Sequence, residues 1–302
     1  MTYAANILAD SKSSDGVRLT TFEVTFPRIV LAEFNTHRMF SRNSASSRAI
    51  PVKKMIERVM ENPYIPSTWG KNQKGMQAGE DVGEQTQGYA KEEWLAARDY
   101  AVDRAKALGD LGIHKQLTNR LLEPFMWHTA IVTATEWSNF FHLRNNKDAH
   151  PDIQIPARMM QELYDVNTPQ PIGESDWHLP LVDDEDYEMA ILSEPGNPLA
   201  VLDKLKKISS ARCARISYLT HDGKRDHDAD VALHDRLLSS GHMSPFEHVA
   251  RPMTISELEG YGPEDSLVRD WPPFLGNFRG WVQYRKTIPN EHDMLNPNRG
   301  AP

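Results

Sequence analysis

In residues 17–26 apolar and polar side chains alternate, with Phe22, Val24 and Phe26 on one face and Glu23 and Thr25 on the other. That two-residue period predicts a half-buried strand. Pro27 suits a helix start, and Ile29, Val30, Leu31 and Phe34 continue it at helical spacing. Further helices are predicted at about 51–62, 89–110, 114–123, 135–145, 152–165, 198–209 and 227–240, the last with Leu233, Leu237 and Leu238 in one stripe. The Pro-rich stretch 166–198 lacks periodicity and reads as a connector whose acidic run, Asp183–Asp186, is solvated. Residues 256–277, with Gly260, Gly262, Pro263, Pro272, Pro273 and Gly276, read as a loop.

The 302 residues are 39% hydrophobic and 25% charged, which is enough apolar content for one large or two modest cores. No run of eighteen apolar residues and no secretory pattern at the start are present, so a cytoplasmic protein without a membrane segment is expected. A net charge of −8 argues against duplex nucleic acid as a partner. Arginines nevertheless gather at 38–48 and 279–285, a local distribution that suits a small anionic ligand. The lone Cys213 rules out an internal disulfide and is expected to be a buried packing residue. Neither a Gly-x-Gly-x-x-Gly turn nor a phosphate loop occurs.

The densest polar cluster runs from Thr36 to Arg48 and holds His37, Arg38, Ser41, Arg42, Asn43, Ser46 and Ser47. By composition it is either a solvated basic loop or a cradle in which guanidinium forks and hydroxyls meet phosphate oxygens. The placement of His37, Arg38, Ser41, Asn43, Ser46 and Arg48 resembles the signature of the flavin-dependent thymidylate synthases. Thr36 and Ser44 depart from it, standing where the family has arginine and glutamate. Two more segments resemble the family: Asn139–Arg144 is similar to its helix ending in an arginine that faces the pyrimidine. Gly241–His248, with Ala214–Ser217 upstream, is similar to its His-x-Thr/Ser-Pro-Phe-Glu-His block. Arg120, four residues before Pro124, matches a phosphate-side arginine, whereas Thr133 and Thr135 replace the usual Asn and Arg flavin contacts. His242, Glu247 and His248 lack the spacing of a zinc hydrolase, so no metal is expected.

The block at 211–248 precedes the signature in the family but follows it here, so the chain reads as circularly permuted. Arg279–Glu291 resembles the first signature again: Arg38 and Arg285, and Asn43 and Asn290, share one offset, which places Glu291 opposite Ser44. The resemblance implies an α+β fold, a small mixed or antiparallel sheet packed with long helices, in a homotetramer. It divides the chain into a nucleotide-binding part (1–165), the connector (166–198) and a flavin- and folate-side part (199–302). It implies conversion of dUMP to dTMP with methylenetetrahydrofolate and NADPH through FAD. Arg144 would be catalytic; Ser46, Ser47, Arg48, Arg120 and Arg144 would hold the nucleotide; His37, Arg38, Asn139, His242, Ser244 and Glu291 would hold the flavin. The alternatives are hydroxymethylation or methylation of dUMP or dCMP, or a non-catalytic nucleotide- or flavin-binding scaffold.

Overall fold

The alternating segment forms strand β2 (Arg18–Pro27), which pairs antiparallel with β1 (Ala4–Lys12) on one side and β4 (Trp127–Ala134) on the other. Strand β3 (Ser41–Ser44) adds to β4, and the short β5 (Gln170–Pro171) runs parallel to β1, giving a mixed sheet in the order β3-β4-β2-β1-β5. The computed structural model describes residues 2–216, 226–259 and 276–293. Ser217 and the Gly- and Pro-rich positions 260–273 lie outside them. Phe22, Val24 and Phe26 face a core shared with Val132, with helix α5 (Ser138–Arg144) and with helix α6 (Pro151–Val166). Phe34, at the end of the short helix α1 (Leu31–Phe34), stacks on Phe26 at 4.9 Å and meets Phe140 edge-on at 5.6 Å. Each of these aromatics gains about 1.5–3 kcal/mol from burial, and the ring pairs add about 0.5–1.5 kcal/mol. This is the packing that fixes where the Thr36–Arg48 segment begins.

The second face of the sheet is also covered, contrary to the half-buried expectation. Thr21 and Thr25 bond across the strands to Thr133 and Thr129 at 2.7 and 2.8 Å, and Ile131 packs with Cys213, Ile216, Leu8 and Leu181. The covering layer is the carboxy-terminal half, built on helices α8 (Pro198–Ala214) and α9 (His227–Ser240). Its own core gathers Leu205, Ile208, Met243, Phe246, Val249 and Tyr284. In chain order the remaining helices are α2 (Val52–Glu61), α3 (Glu84–Asp110), α4 (Lys115–Thr118), α7 (Asp184–Ser193) and α10 (Ile255–Glu259). A 3-10 stretch over Asn119–Phe125 carries on from α4 where a single helix was predicted. The chain is thus α+β, as expected.

The 166–198 stretch is folded, and its acidic run is not simply solvated. Asp183 and Asp186 form a reciprocal capping box at the start of α7, the arrangement that satisfies otherwise orphaned helix-start N–H groups. Asp186 is fully buried and takes two guanidinium bonds from Arg212, while Arg212 Nε donates to Asp230 at 3.0 Å. These bonds lower the Asp186 pKa although burial alone would raise it.

In the tail, β7 (Trp281–Gln283) pairs with β6 (Ala250–Pro252). Trp281 therefore lies in a strand although Phe34, at the shared offset, ends a helix. The tail packs on the first signature: Gln283 Nε2 donates to Ser41 Oγ at 2.9 Å, and Asn277 Nδ2 donates to the Met39 carbonyl at 2.9 Å. Gly276 adopts φ +72, and a Cβ there would collide with the Gln283 amide, so this approach requires glycine.

Candidate active site

Three groups of predicted site residues form along the Thr36–Arg48 segment. At its start, helix α5 ends on Arg144, where a cation complements the helix carbonyls. Arg144 Nε donates to His37 Nε2 at 2.9 Å, and Nη2 donates to Thr36 Oγ1 at 2.9 Å and to the Glu33 carbonyl at 3.3 Å. The His37 ring stacks on Phe40 at 5.6 Å and meets Phe140 edge-on at 4.9 Å. Burial pulls the His37 pKa down to about 4, with the Arg144 and Arg42 charges lowering it further. The imidazole is therefore neutral and accepts from Arg144. Arg42 Nη1 reaches the Phe34 and His37 carbonyls, both at 3.4 Å, which ties the loop to its own start.

In the middle of the segment, Asn43 on β3 meets the third block. It meets His248 Nε2 at 3.2 Å, and the Ser244 hydroxyl and carbonyl at 3.2 Å and the Arg42 carbonyl at 3.1 Å favour the amide orientation that turns Nδ2 toward all of them. Glu247, next along, takes Arg285 Nη1 at 2.6 Å. His242 is exposed and bonds Ser240 at 2.9 Å. His242, Glu247 and His248 thus point to three different partners, and no His, Cys, Asp or Glu group fit for a metal occurs among the described residues. Glu291 is buried against its own segment, accepting from Arg285 Nε at 2.8 Å and Lys286 Nζ at 2.6 Å.

At the far end, Ser47 Oγ donates to Glu123 Oε1 at 2.9 Å, and the same oxygen receives Arg120 Nη1 at 2.7 Å and Arg28 Nη2 at 3.1 Å. Asn119 Nδ2 holds the turn by donating to the Ser47 and Ile50 carbonyls at 2.8 and 2.9 Å. Arg48, next in sequence to Ser47, is exposed and Ser46 is half-buried. The four residues of β3, at about 3.3 Å each, separate this end from the Arg144–His37 end. Arg38 and Asn139 are exposed.

Neither Glu123 nor Arg28 stands out in the sequence, because a lone Glu before a proline and an Arg after one carry no pattern. Thr133, which stands where the family has a flavin contact, is fully buried and bonds Thr21 and His248 at 2.7 Å each. Thr135 Oγ1 accepts from the Arg279 backbone N–H at 3.1 Å, and Arg279 Nε pairs with Glu136 at 3.2 Å. The tail thereby brings an arginine to the position whose own side chain is only a hydroxyl. Beside it, an open groove of about 810 Å³ is lined by residues including Glu136, Trp137, Phe141, His142, Gln161 and Tyr164.

Fold and site together define an α+β protein in which a helix-terminal arginine is set against a His-Arg-Ser-Asn-Ser-Arg segment on a sheet edge. The family model for thymidylate synthase complementing protein matches residues 18–170, half of the chain, and the chain belongs to that family. Solved structures similar to it include the UMP/dUMP methylase PolB from Streptomyces cacaoi bound with 5-Br UMP. That match has 15% identity over 54% of this chain and 88% of that one, with a TM-score of 0.45. The same methylase bound with 5-Br dUMP has 15% identity over 54% and 89%, with a TM-score of 0.42. Comparison with curated proteins gave no match.

Proposed function

We propose that the chain is a flavin-dependent thymidylate synthase that methylates C5 of dUMP to give dTMP, with methylenetetrahydrofolate as one-carbon donor and NADPH as reductant. Family membership supports this reading, and the observation that carries it is the Arg144–His37 contact. A guanidinium fixed by three acceptors, one of them a neutral imidazole, is pre-aimed to stabilise negative charge on a pyrimidine N3/O2 edge. Such charge makes C5 nucleophilic without a covalent enzyme adduct.

The nucleotide phosphate is assigned to the far end of the segment, to Ser46, Ser47, Arg48 and Arg120. Arg28 and Arg120 share the Glu123 carboxylate, which leaves one positive charge in excess, and Arg48, next in sequence to Ser47, supplies a second for a phosphate dianion. The residues present fit a flavin nucleotide in part. Arg38, Asn139, His242 and Ser244 are exposed polar groups, whereas the Glu291 carboxylate is already held by Arg285 and Lys286. FAD, when bound, supplies the hydride that completes the methyl group. His37 serves the site by orienting Arg144. We assign residues 1–165 to the nucleotide, 199–302 to the flavin and folate side with 166–198 joining them, and a homotetramer as the assembly.

Purified protein is expected to be yellow, to oxidise NADPH in a dUMP-dependent way when folate donor is present, and to release dTMP. Colourless protein that binds neither FAD nor dUMP overturns the proposal. A hydroxymethyl product, or turnover of dCMP in place of dUMP, replaces it with the related reaction.

A further inference from the structure

Beneath Asn43, five consecutive hydrogen bonds cross the sheet. Ser11 Oγ meets His178 Nδ1 at 2.9 Å, and His178 Nε2 meets Thr21 Oγ1 at 2.7 Å. Thr21 Oγ1 meets Thr133 Oγ1 at 2.7 Å, and Thr133 Oγ1 meets His248 Nδ1 at 2.7 Å. The fifth joins His248 Nε2 to the Asn43 amide at 3.2 Å. All five relay residues before Asn43 are buried, the two threonines are cross-strand partners, and the His178 backbone N–H donates to Ala250 at 2.8 Å, two residues beyond His248. The series thus links four strands to the connector and to the third block.

Hydroxyls and neutral imidazoles each donate one proton along such a series, so the direction at one end fixes every other. Burial pulls both histidines down to about 3, so both stay neutral. With Asn43 Nδ2 donating to His248 Nε2, His248 carries its proton on Nδ1 and gives it to Thr133; Thr133 gives to Thr21, Thr21 to His178 Nε2, and His178 Nδ1 to Ser11. The second amide hydrogen of Asn43 faces Ser244 Oγ, its carbonyl and the Arg42 carbonyl. A Ser244 hydroxyl that accepts from Asn43 keeps its own hydrogen for the open side, where Ser244 is exposed.

We propose that His178, Thr21 and Thr133 are positioning residues that fix the His248 tautomer and the Asn43 amide, so that Ser244 presents a hydrogen-bond donor to an acceptor oxygen of the bound ligand. This rests on the assignment of Ser244 to the flavin side and adds the kind of atom it receives, a carbonyl or phosphate oxygen. It also gives Thr133 a task inside the protein in place of a ligand contact.

Thr133→Val breaks the middle of the series, and Thr133→Ser restores a hydroxyl. Imidazole nitrogens in uniformly labelled protein, read by long-range proton–nitrogen NMR, report the tautomers without any ligand. His248 is expected on the Nδ1–H tautomer in the native chain and in Thr133→Ser, and to leave it in Thr133→Val. FAD affinity, titrated on the same samples, is expected to fall about tenfold in Thr133→Val and to recover in Thr133→Ser, as for one misdirected hydrogen bond. An unchanged His248 tautomer in Thr133→Val overturns the proposal, as does a changed tautomer with FAD affinity intact. Should the native chain bind no FAD, the functional assignment fails by itself, and the tautomer alone decides whether the series is directed.

Discussion

Replacing His37 by leucine removes the acceptor of Arg144 Nε while keeping an apolar body against Phe40 and Phe140. The lost bond involves a charged donor, so about 1.5–3 kcal/mol of orientation is forfeited, equivalent to a roughly 10- to 100-fold fall in kcat/KM. Because a misaimed guanidinium harms the transition state more than the ground state, kcat should carry most of the loss. His37→Gln, which can still accept, should recover part of it. The pH dependence follows from the same geometry. The folded chain holds the His37 pKa at about 4 against an ordinary 6.5, so the unfolded chain binds the extra proton between those values. Stability is therefore full above pH 6.5 and falls as pH drops toward 4, by at most ~3 kcal/mol and roughly half that after solvent screening. Urea unfolding at pH 7 and pH 4.5 should show the drop in native protein and lack that component in His37→Leu. Native kcat/KM in the leucine variant refutes the assigned role of the pair.

Glu123→Gln removes the carboxylate that bonds Arg28, Arg120 and Ser47, and should tighten dUMP binding severalfold, with a steeper salt dependence, in titrations against dUMP and deoxyuridine. Asp186→Asn leaves Arg212 buried with half its counter-charge and should cost about 3–5 kcal/mol in urea unfolding, whereas Asp186→Asn combined with Arg212→Gln should cost less than the single change. The native pair holds the Asp186 carboxyl below its usual range, so its contribution is complete near neutral pH and disappears only as strong acid titrates the folded carboxyl. Cys213, fully buried with its thiol pKa raised, should be inert to thiol reagents in native protein and should react once the chain is unfolded.

Strand β2 and the helices starting near Pro51, Pro151 and Pro198 were legible because their signals are local: alternation, and a proline or an Asn cap at the first turn. Strand β4 was not, since a central strand covered on both faces loses its alternation; Ala130 through Ala134 are buried without exception. Helix α7 hid in a Pro-rich stretch because its capping box uses Asp183 and Asp186, which look like a plain acidic run. At the site, the segments that spacing and resemblance single out lie together in the fold, His37 against Arg144 and Asn43 against Ser244. His178, Glu123 and Arg28 stayed invisible because each acts through a partner more than seventy residues away, and long-range pairing leaves no trace in local pattern.

The visible spectrum of the purified chain, followed by NADPH oxidation with and without dUMP in native and Arg144→Ala protein, decides whether Arg144 drives a flavin-dependent reaction on dUMP. Yellow protein is expected in both cases, with dUMP-dependent oxidation and dTMP release only in the native chain. Equal turnover in the two proteins, or the absence of any flavin in the native one, contradicts that role.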